Sequence, residues 1–301
     1  MTEKEAYSQA GYKHSKSLIP AELIDSLMTE YNTVLLPSTD HYFRQSTQKW
    51  EKNSLNQFGY CNQSFLDPHD FQGEKHSKLV NALRKIYFHN NLTQTLESLT
   101  GDKNFNLMQS MLFDKNTATR PHQDWYYLDS VPKGHLVGVW IALEDINPEA
   151  GQFFVLPTTH NKSLPYKSDE KISDVKYKNM VERFVEENKD LIVTPAMKKG
   201  DVIIWNSGLI HGASATINSK YSRKSLTAHM MPDNCQFGND RGLIVDVEYS
   251  NYQGRKYRRL LQTYKSKLKF THSISNSSTH VWRANATVSK RSPSNRSRNQ
   301  K

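Results

Sequence analysis

Arg120-Pro-His-Gln-Asp-Trp-Tyr-Tyr127 decides how this chain is read, because it sets an imidazole and a carboxylate two residues apart. On an extended strand residues i and i+2 point to the same side, so His122 and Asp124 reach one point in space while Gln123 faces away. Two histidines and one carboxylate on one face of an octahedron leave three positions open, the donor set of a non-haem Fe(II) centre. Leu209-Ile-His-Gly212 offers the second imidazole, His211, after an apolar run and before a glycine. In a chain with 12 histidines a His-x-Asp triplet arises readily by chance. A solvated or core histidine is the plainer reading of His122 alone, so the surrounding pattern has to decide.

That pattern is β-rich. Short runs at 107–113, 136–143, 152–156, 191–195, 201–206, 210–214 and 224–231 are punctuated by Gly, Pro, Asn and Asp. Such spacing predicts a sandwich or barrel, here a mainly β fold with an eight-stranded jelly-roll core, and not a parallel sheet with crossovers. Upstream, Pro20 opens an amphipathic helix over 20–31 with Leu23, Ile24, Leu27 and Met28 on one side. Residues 39–74 are aperiodic and read as loops. Helices return near 76–87, with Leu79, Leu83 and Ile86 in register, and near 92–99, where Gly101 ends them. These helices are expected to pack on one sheet. The charged stretch 169–190 carries Val181, Phe184 and Val185 at helical spacing, and reads as a helical insertion over the barrel mouth or as a solvated surface helix.

The 301 residues suit one large domain or two small ones, with a sizeable core. No run of eighteen apolar residues and no apolar segment after Met1 are present, so neither a membrane span nor a secretory signal is expected. Cys61 and Cys235 form no metal cluster or disulfide framework, which fits a reducing cytoplasm. The net charge of +10 is local: residues 251–301 hold thirteen Lys and Arg and no acid, leaving 27 basic against 30 acidic residues before them. The expected organisation is therefore one domain over 1–250 and a basic end over 251–301. Within that end, 255–269 reads as a basic helix and 289–301 as a polar, disordered tail. The tail is solvated, or it contacts an anionic surface, nucleic acid or a phosphorylated substrate.

Three segments together resemble the phytanoyl-CoA dioxygenase family of Fe(II)- and 2-oxoglutarate-dependent oxygenases. They are Met111-Leu-Phe-Asp-Lys115 with Pro121-His-Gln-Asp-Trp125; Val139-Trp-Ile-Ala-Leu143 through Gly151-Gln-Phe-Phe-Val-Leu-Pro157 to His160; and Lys199-Gly-Asp-Val-Ile-Ile-Trp205 through His211-Gly212 to Arg223-Lys-Ser225. The match covers about 105–232, in the family's order. The resemblance implies a double-stranded β-helix, cupin-like core in which His122, Asp124 and His211 hold Fe(II). It further implies that Arg223 and Ser225 anchor the distal carboxylate of 2-oxoglutarate, with Met111, Gln123 and Trp140 near that cosubstrate. A guanidinium supplies a planar two-pronged fork for such a carboxylate, and Arg223 and Ser225 share one face of a strand. Ala213 stands where relatives often carry serine, which removes one hydroxyl contact.

The activity so implied is a dioxygenase using O2 and 2-oxoglutarate to hydroxylate an unactivated C–H bond of a small metabolite, with release of succinate and CO2. Retention of the carboxylate at Asp124 favours hydroxylation over halogenation, in which a small residue leaves room for halide. Desaturation and cyclisation draw on the same oxidant. Two rivals stand beside this reading. One is an acyl-CoA hydroxylase of the phytanoyl-CoA type, although no Ser-Lys-Leu ends the sequence. The other is a non-catalytic binding protein on the same scaffold that uses its basic tail. Trp125, Tyr126 and Tyr127 line a substrate pocket or fill the barrel, and His160 and His229 are spare histidines.

Overall fold

A computed structural model describes residues 1–162, 173–239 and 243–259. Helix α1 (Glu3–Ala10) starts at a capping box in which Thr2 and Glu5 satisfy each other's backbone N–H. It leads into β1 (Tyr12–Ser15), then α2 (Ala21–Glu30) behind Pro20. Residues 39–74 are largely irregular as expected. They hold three two-residue strands, β2 (Tyr42–Phe43), β3 (Trp50–Glu51) and β4 (Phe65–Leu66). Helices α3 (Ser77–Tyr87) and α4 (Asn90–Thr100) follow, and Gly101 closes α4 at φ +86°.

The core strands are β5 (Phe105–Phe113), β6 (Asp129–Val131), β7 (Val137–Ala142), β8 (Phe153–Leu156), β9 (Val202–Asn206), β10 (Ile210–Ala213), β11 (Ser225–Pro232) and β12 (Gln236–Gly238). Helix α5 (Asp174–Glu187) lies between β8 and β9, and the hairpin β13 (Tyr249–Tyr252) and β14 (Arg255–Arg258) ends the described chain. The major sheet runs β1-β9-β7-β11-β5-β14-β13. Facing it, β8 and β10 pair antiparallel, and single bridges extend this second sheet to His122 on one side and Val193 on the other. The two sheets form the expected double-stranded β-helix.

Strand alternation sorts the side chains. On β11, Leu226, Ala228 and Met230 join the core with Ile24, Leu27, Leu79, Leu83, Ile86, Leu92 and Leu96 of α2, α3 and α4. Each such buried aliphatic side chain contributes about 1.5–3 kcal/mol, so the helices are fixed to the outside of the major sheet. The alternate residues of β11, Ser225, Thr227 and His229, therefore face the barrel interior, opposite Ala142, Trp140 and Gly138 of β7.

Four expectations are corrected. The basic helix expected from Arg255 is strand β14, because Gln253 and Gly254 both take positive φ (51° and 81°), the two-residue turn that folds a hairpin back on itself. Tyr257 of β14 is buried and pairs with Leu107, so the boundary expected at 250 cuts through a hairpin of the major sheet. The remainder of that basic end, 260–301, lies outside the described residues. The strand expected at 191–195 is a short 3-10 turn and one bridge at Val193, since Pro195 cannot donate to a ladder. Helix α5 packs through Tyr177 and Val181 on Phe154, Leu156 and Ile210, on the outer side of the second sheet and not across the mouth. Residues 169–172 of that expected insertion lie outside the described residues.

Candidate metal centre

His122 and His211 meet because their backbones pair. Each donates its N–H to the other's carbonyl at 3.0 Å, which sets the two imidazoles side by side, ring centres 4.4 Å apart. Both rings are oriented the same way. Nδ1 of His122 lies 2.9 Å from the carbonyl of Arg120, and Nδ1 of His211 lies 3.0 Å from that of Leu209. A carbonyl only accepts, so each Nδ1 carries the proton and each Nε2 presents a lone pair. Gln123 is extended, at φ −111° and ψ 133°, which brings Asp124 to the same side as His122.

Asp124 Oδ1 stands 3.4 Å from His122 Nε2 and 3.6 Å from His211 Nε2, and the three donors all lie within 4.8 Å of one another. Ligand atoms at right angles about a metal with bonds of about 2.1 Å are about 3 Å apart. The two carboxylate–imidazole separations are therefore within about 0.6 Å of that spacing. The electrostatics of the cluster suit an ion as well. Burial pushes the Asp124 carboxyl up, but the imidazoles of His211, His229 and His122 outweigh this and hold it well below the usual carboxylate range. Burial also lowers His211 to about 4, so its ring is neutral and free to ligate.

Two neighbours of Asp124 were not legible as site residues in the sequence. Trp205 donates its indole N–H to Asp124 Oδ2 at 2.8 Å. His229 Nε2 lies 3.4 Å from Oδ1, while its buried Nδ1 has no partner. A signal for His229 was present: Arg223, Ser225, Thr227 and His229 are polar at every second position of a buried strand, the pattern of a strand that turns a polar face to an enclosed site.

Arg223 is 2% exposed. Its Nη1 donates to the carbonyl of Gly151 at 3.2 Å, its Nε has no partner, and among the described residues no carboxylate pairs with it. Burial lowers its pKa to about 10, which still leaves it charged near neutral pH. A buried cation without an anion is costly unless a ligand supplies one. Ser225 is buried beside it, its hydroxyl 3.4 Å from the Arg223 carbonyl. Met111 and Trp140 are both cross-strand partners of Thr227 and so share the interior face, with the Arg223 guanidinium 5.9 Å from the Trp140 ring. Gln123 is not brought into this group. It points the opposite way to the triad, and its amide donates to the carbonyl of Gly208 at 2.6 Å.

The aromatic run after the ligands divides. Trp125 packs beneath Lys133, whose Nζ is 3.6 Å from the ring centre, and Tyr126 stacks on Tyr177 at 3.6 Å. Tyr127 alone of the three faces a ligand, 6.1 Å from the His122 ring. His160 lies apart, against the carbonyl of Ser8.

Known proteins point the same way. The chain is 30% identical over 133 residues to phytanoyl-CoA dioxygenase domain-containing protein 1 of Danio rerio, covering 42% of this chain and 44% of that one. It is 24% identical over 250 residues to the peroxisomal phytanoyl-CoA dioxygenase of Homo sapiens, covering 80% and 71%. The chain thus spans less than half the length of the first of these relatives. Among solved structures it resembles the epimerase SnoN in complex with Fe3+, alpha ketoglutarate and nogalamycin RO, at TM-score 0.58 and 17% identity over 85% of this chain and 94% of that one. It also resembles EctD from S. alaskensis with 2-oxoglutarate and 5-hydroxyectoine, at TM-score 0.56 and 18% identity over 80% and 78%. These likenesses establish the shared fold. Because the family model for phytanoyl-CoA dioxygenase matches residues 7–225, from α1 to the first residue of β11 and so across all three convergent donors, this chain belongs to the phytanoyl-CoA dioxygenase family.

Proposed function

We propose that the chain is an Fe(II)- and 2-oxoglutarate-dependent dioxygenase that hydroxylates a C–H bond of a small molecule and releases succinate and CO2. The observation that carries this reading is the convergence of His122, Asp124 and His211, two imidazoles and one carboxylate, at one point of the barrel. Iron bound there supplies the redox chemistry with O2 and the 2-oxo acid. The protein supplies everything else. Nδ1–H bonds to the Arg120 and Leu209 carbonyls aim both imidazoles. Arg223, buried and lacking an anion, is matched to the far carboxylate of the cosubstrate, with Ser225 as a second donor. Trp140, Phe153 and Trp205 give that interior an apolar wall that excludes water.

Retention of Asp124 as a ligand favours hydroxylation among the outcomes open to the scaffold. The substrate is a small molecule, and Tyr127 is the aromatic ring of the 125–127 run placed beside His122. A cytoplasmic site of action and an anionic contact by residues 260–301 belong to the same proposal. Among the described residues no helix is long and apolar enough to cross a membrane.

The test is an anaerobic titration with Fe(II) and 2-oxoglutarate, read as the visible metal-to-ligand charge-transfer band, followed by a screen of small molecules for succinate release. The band appears in the wild type and vanishes in the double variant Asp124→Ala, His211→Ala. A band that survives both substitutions rejects the site.

A further inference from the structure

The indole of Trp205 is fitted to one atom. It reaches Asp124 Oδ2 at 2.8 Å inside the barrel, where the Trp205 side chain is fully buried. The other oxygen, Oδ1, is the one turned toward the Nε2 atoms of His122 and His211. Room for the ring comes from β7: Gly138 is the cross-strand partner of Trp205, and a Cβ at Gly138 would stand 2.0 Å from the indole. The ring also flanks His211, with centres 4.7 Å apart. Glycine at 138 and tryptophan at 205 thus form a matched pair that aims one N–H at one carboxylate oxygen.

We infer that Trp205 is a positioning residue that holds Asp124 as a one-oxygen ligand and so keeps three coordination positions open. This rests on the metal site proposed above. The reasoning is a count of positions. An octahedral ion with three protein ligands has three left; a 2-oxo acid fills two and O2 the last. A carboxylate that swings to bind through both oxygens removes one of them. Oδ2 is the oxygen that would make a second bond, and the indole N–H engages it while Oδ1 faces the Nε2 atoms of His122 and His211. Partners of this kind, bonded to a ligand and not to the metal, typically change metal affinity by about 10- to 100-fold.

The test compares wild type with Trp205→Phe, which keeps an aromatic ring against Gly138 and His211 and deletes the donor. Difference infrared spectra between metal-free and anaerobic Fe(II)-loaded protein, with 13C-aspartate to identify the bands, report the splitting of the carboxylate stretches. That splitting is wide for one-oxygen and narrow for two-oxygen coordination. The expected result is a wide splitting in wild type and a narrow one in Trp205→Phe, with 2-oxoglutarate binding to the Fe(II) form weakened by about ten-fold. A narrow splitting in wild type, or the same splitting and cosubstrate affinity in both proteins, overturns the inference. Failure of the wild type to take up Fe(II) overturns the metal site itself, so the two failures are distinct. Where Trp205→Phe does not fold, Gly138→Ala displaces the same indole and is read against wild type in the same way, while a narrow wild-type splitting overturns the inference without any variant.

Discussion

Replacing Arg223 by methionine should make the protein more stable and worse at its task. Arg223 is 2% exposed, and among the described residues its Nε is unbonded and its guanidinium has one acceptor, the Gly151 carbonyl. Without cosubstrate the fold therefore carries an uncompensated buried charge. Exchanging buried ionic groups for apolar side chains of similar volume is often neutral or stabilising by about 1–4 kcal/mol. At about 2–4 °C per kcal/mol for a chain somewhat smaller than this one, the cosubstrate-free variant should melt at least about 2 °C above wild type. Loss of the fork should meanwhile cost about 2–5 kcal/mol of 2-oxoglutarate binding, roughly 30- to several-thousand-fold in affinity. Differential scanning fluorimetry with and without 2-oxoglutarate reads both effects. Cosubstrate at 100 times its wild-type dissociation constant should stabilise the wild type by about 2.7 kcal/mol and the variant by about 0.9 kcal/mol or less. A variant that melts lower than wild type yet keeps the cosubstrate-induced shift would refute the assignment of Arg223.

Two further outcomes follow from groups outside the triad. Burial raises Asp67 to about 7 and Asp70 and Asp129 to about 6, so the folded protein holds protons that the unfolded chain, with carboxyls near 4, has released. On this account their contribution to stability is fully present below about pH 4 and is lost as pH rises from there through 6–7, by up to about 1.4 kcal/mol per pH unit for each group. Asp67→Asn should flatten that slope in urea unfolding measured from pH 5 to 8, and an unaltered slope would assign the dependence elsewhere. Tyr177→Phe removes the hydroxyl that accepts from the Gln123 N–H at 3.0 Å, between two ligands. It should cost about 1–3 kcal/mol in chemical denaturation, and a change within error would show that the amide finds another partner.

The juxtaposition of His122 and Asp124 was legible because extended geometry is a local property: Gln123 had only to be extended for the two to share a side, and it is. The partnership with His211 required a pattern longer than the triplet, since nothing near residue 122 says which of the other histidines pairs with it across a sheet. The α2, α3 and α4 helices were readable from apolar spacing at Leu27, Leu83 and Leu96. Strand β14 was not, because Arg255-Lys-Tyr-Arg258 has the composition of a basic helix, and only the positive φ values at Gln253 and Gly254 turn it into a hairpin. Trp205 was hidden for another reason. Its role depends on the missing Cβ at Gly138, sixty-seven positions earlier, and cross-strand register of that kind is settled by tertiary pairing. The same alternation that brings His122 and Asp124 to one side turns Gln123 the other way, onto the Gly208 carbonyl.

Strand β11 is bonded on both edges, to β5 and to β7, and one side of it is docked on helices while the other lines the site. Its side chains therefore have little freedom to adapt: a change of volume at Leu226 or Ala228 is transmitted through the backbone to Ser225, Thr227 and His229. Diversification of substrate preference in such a molecule is confined to connecting segments around the opening, while the wall that faces iron and oxo acid stays as unyielding as the hydrophobic interior behind it.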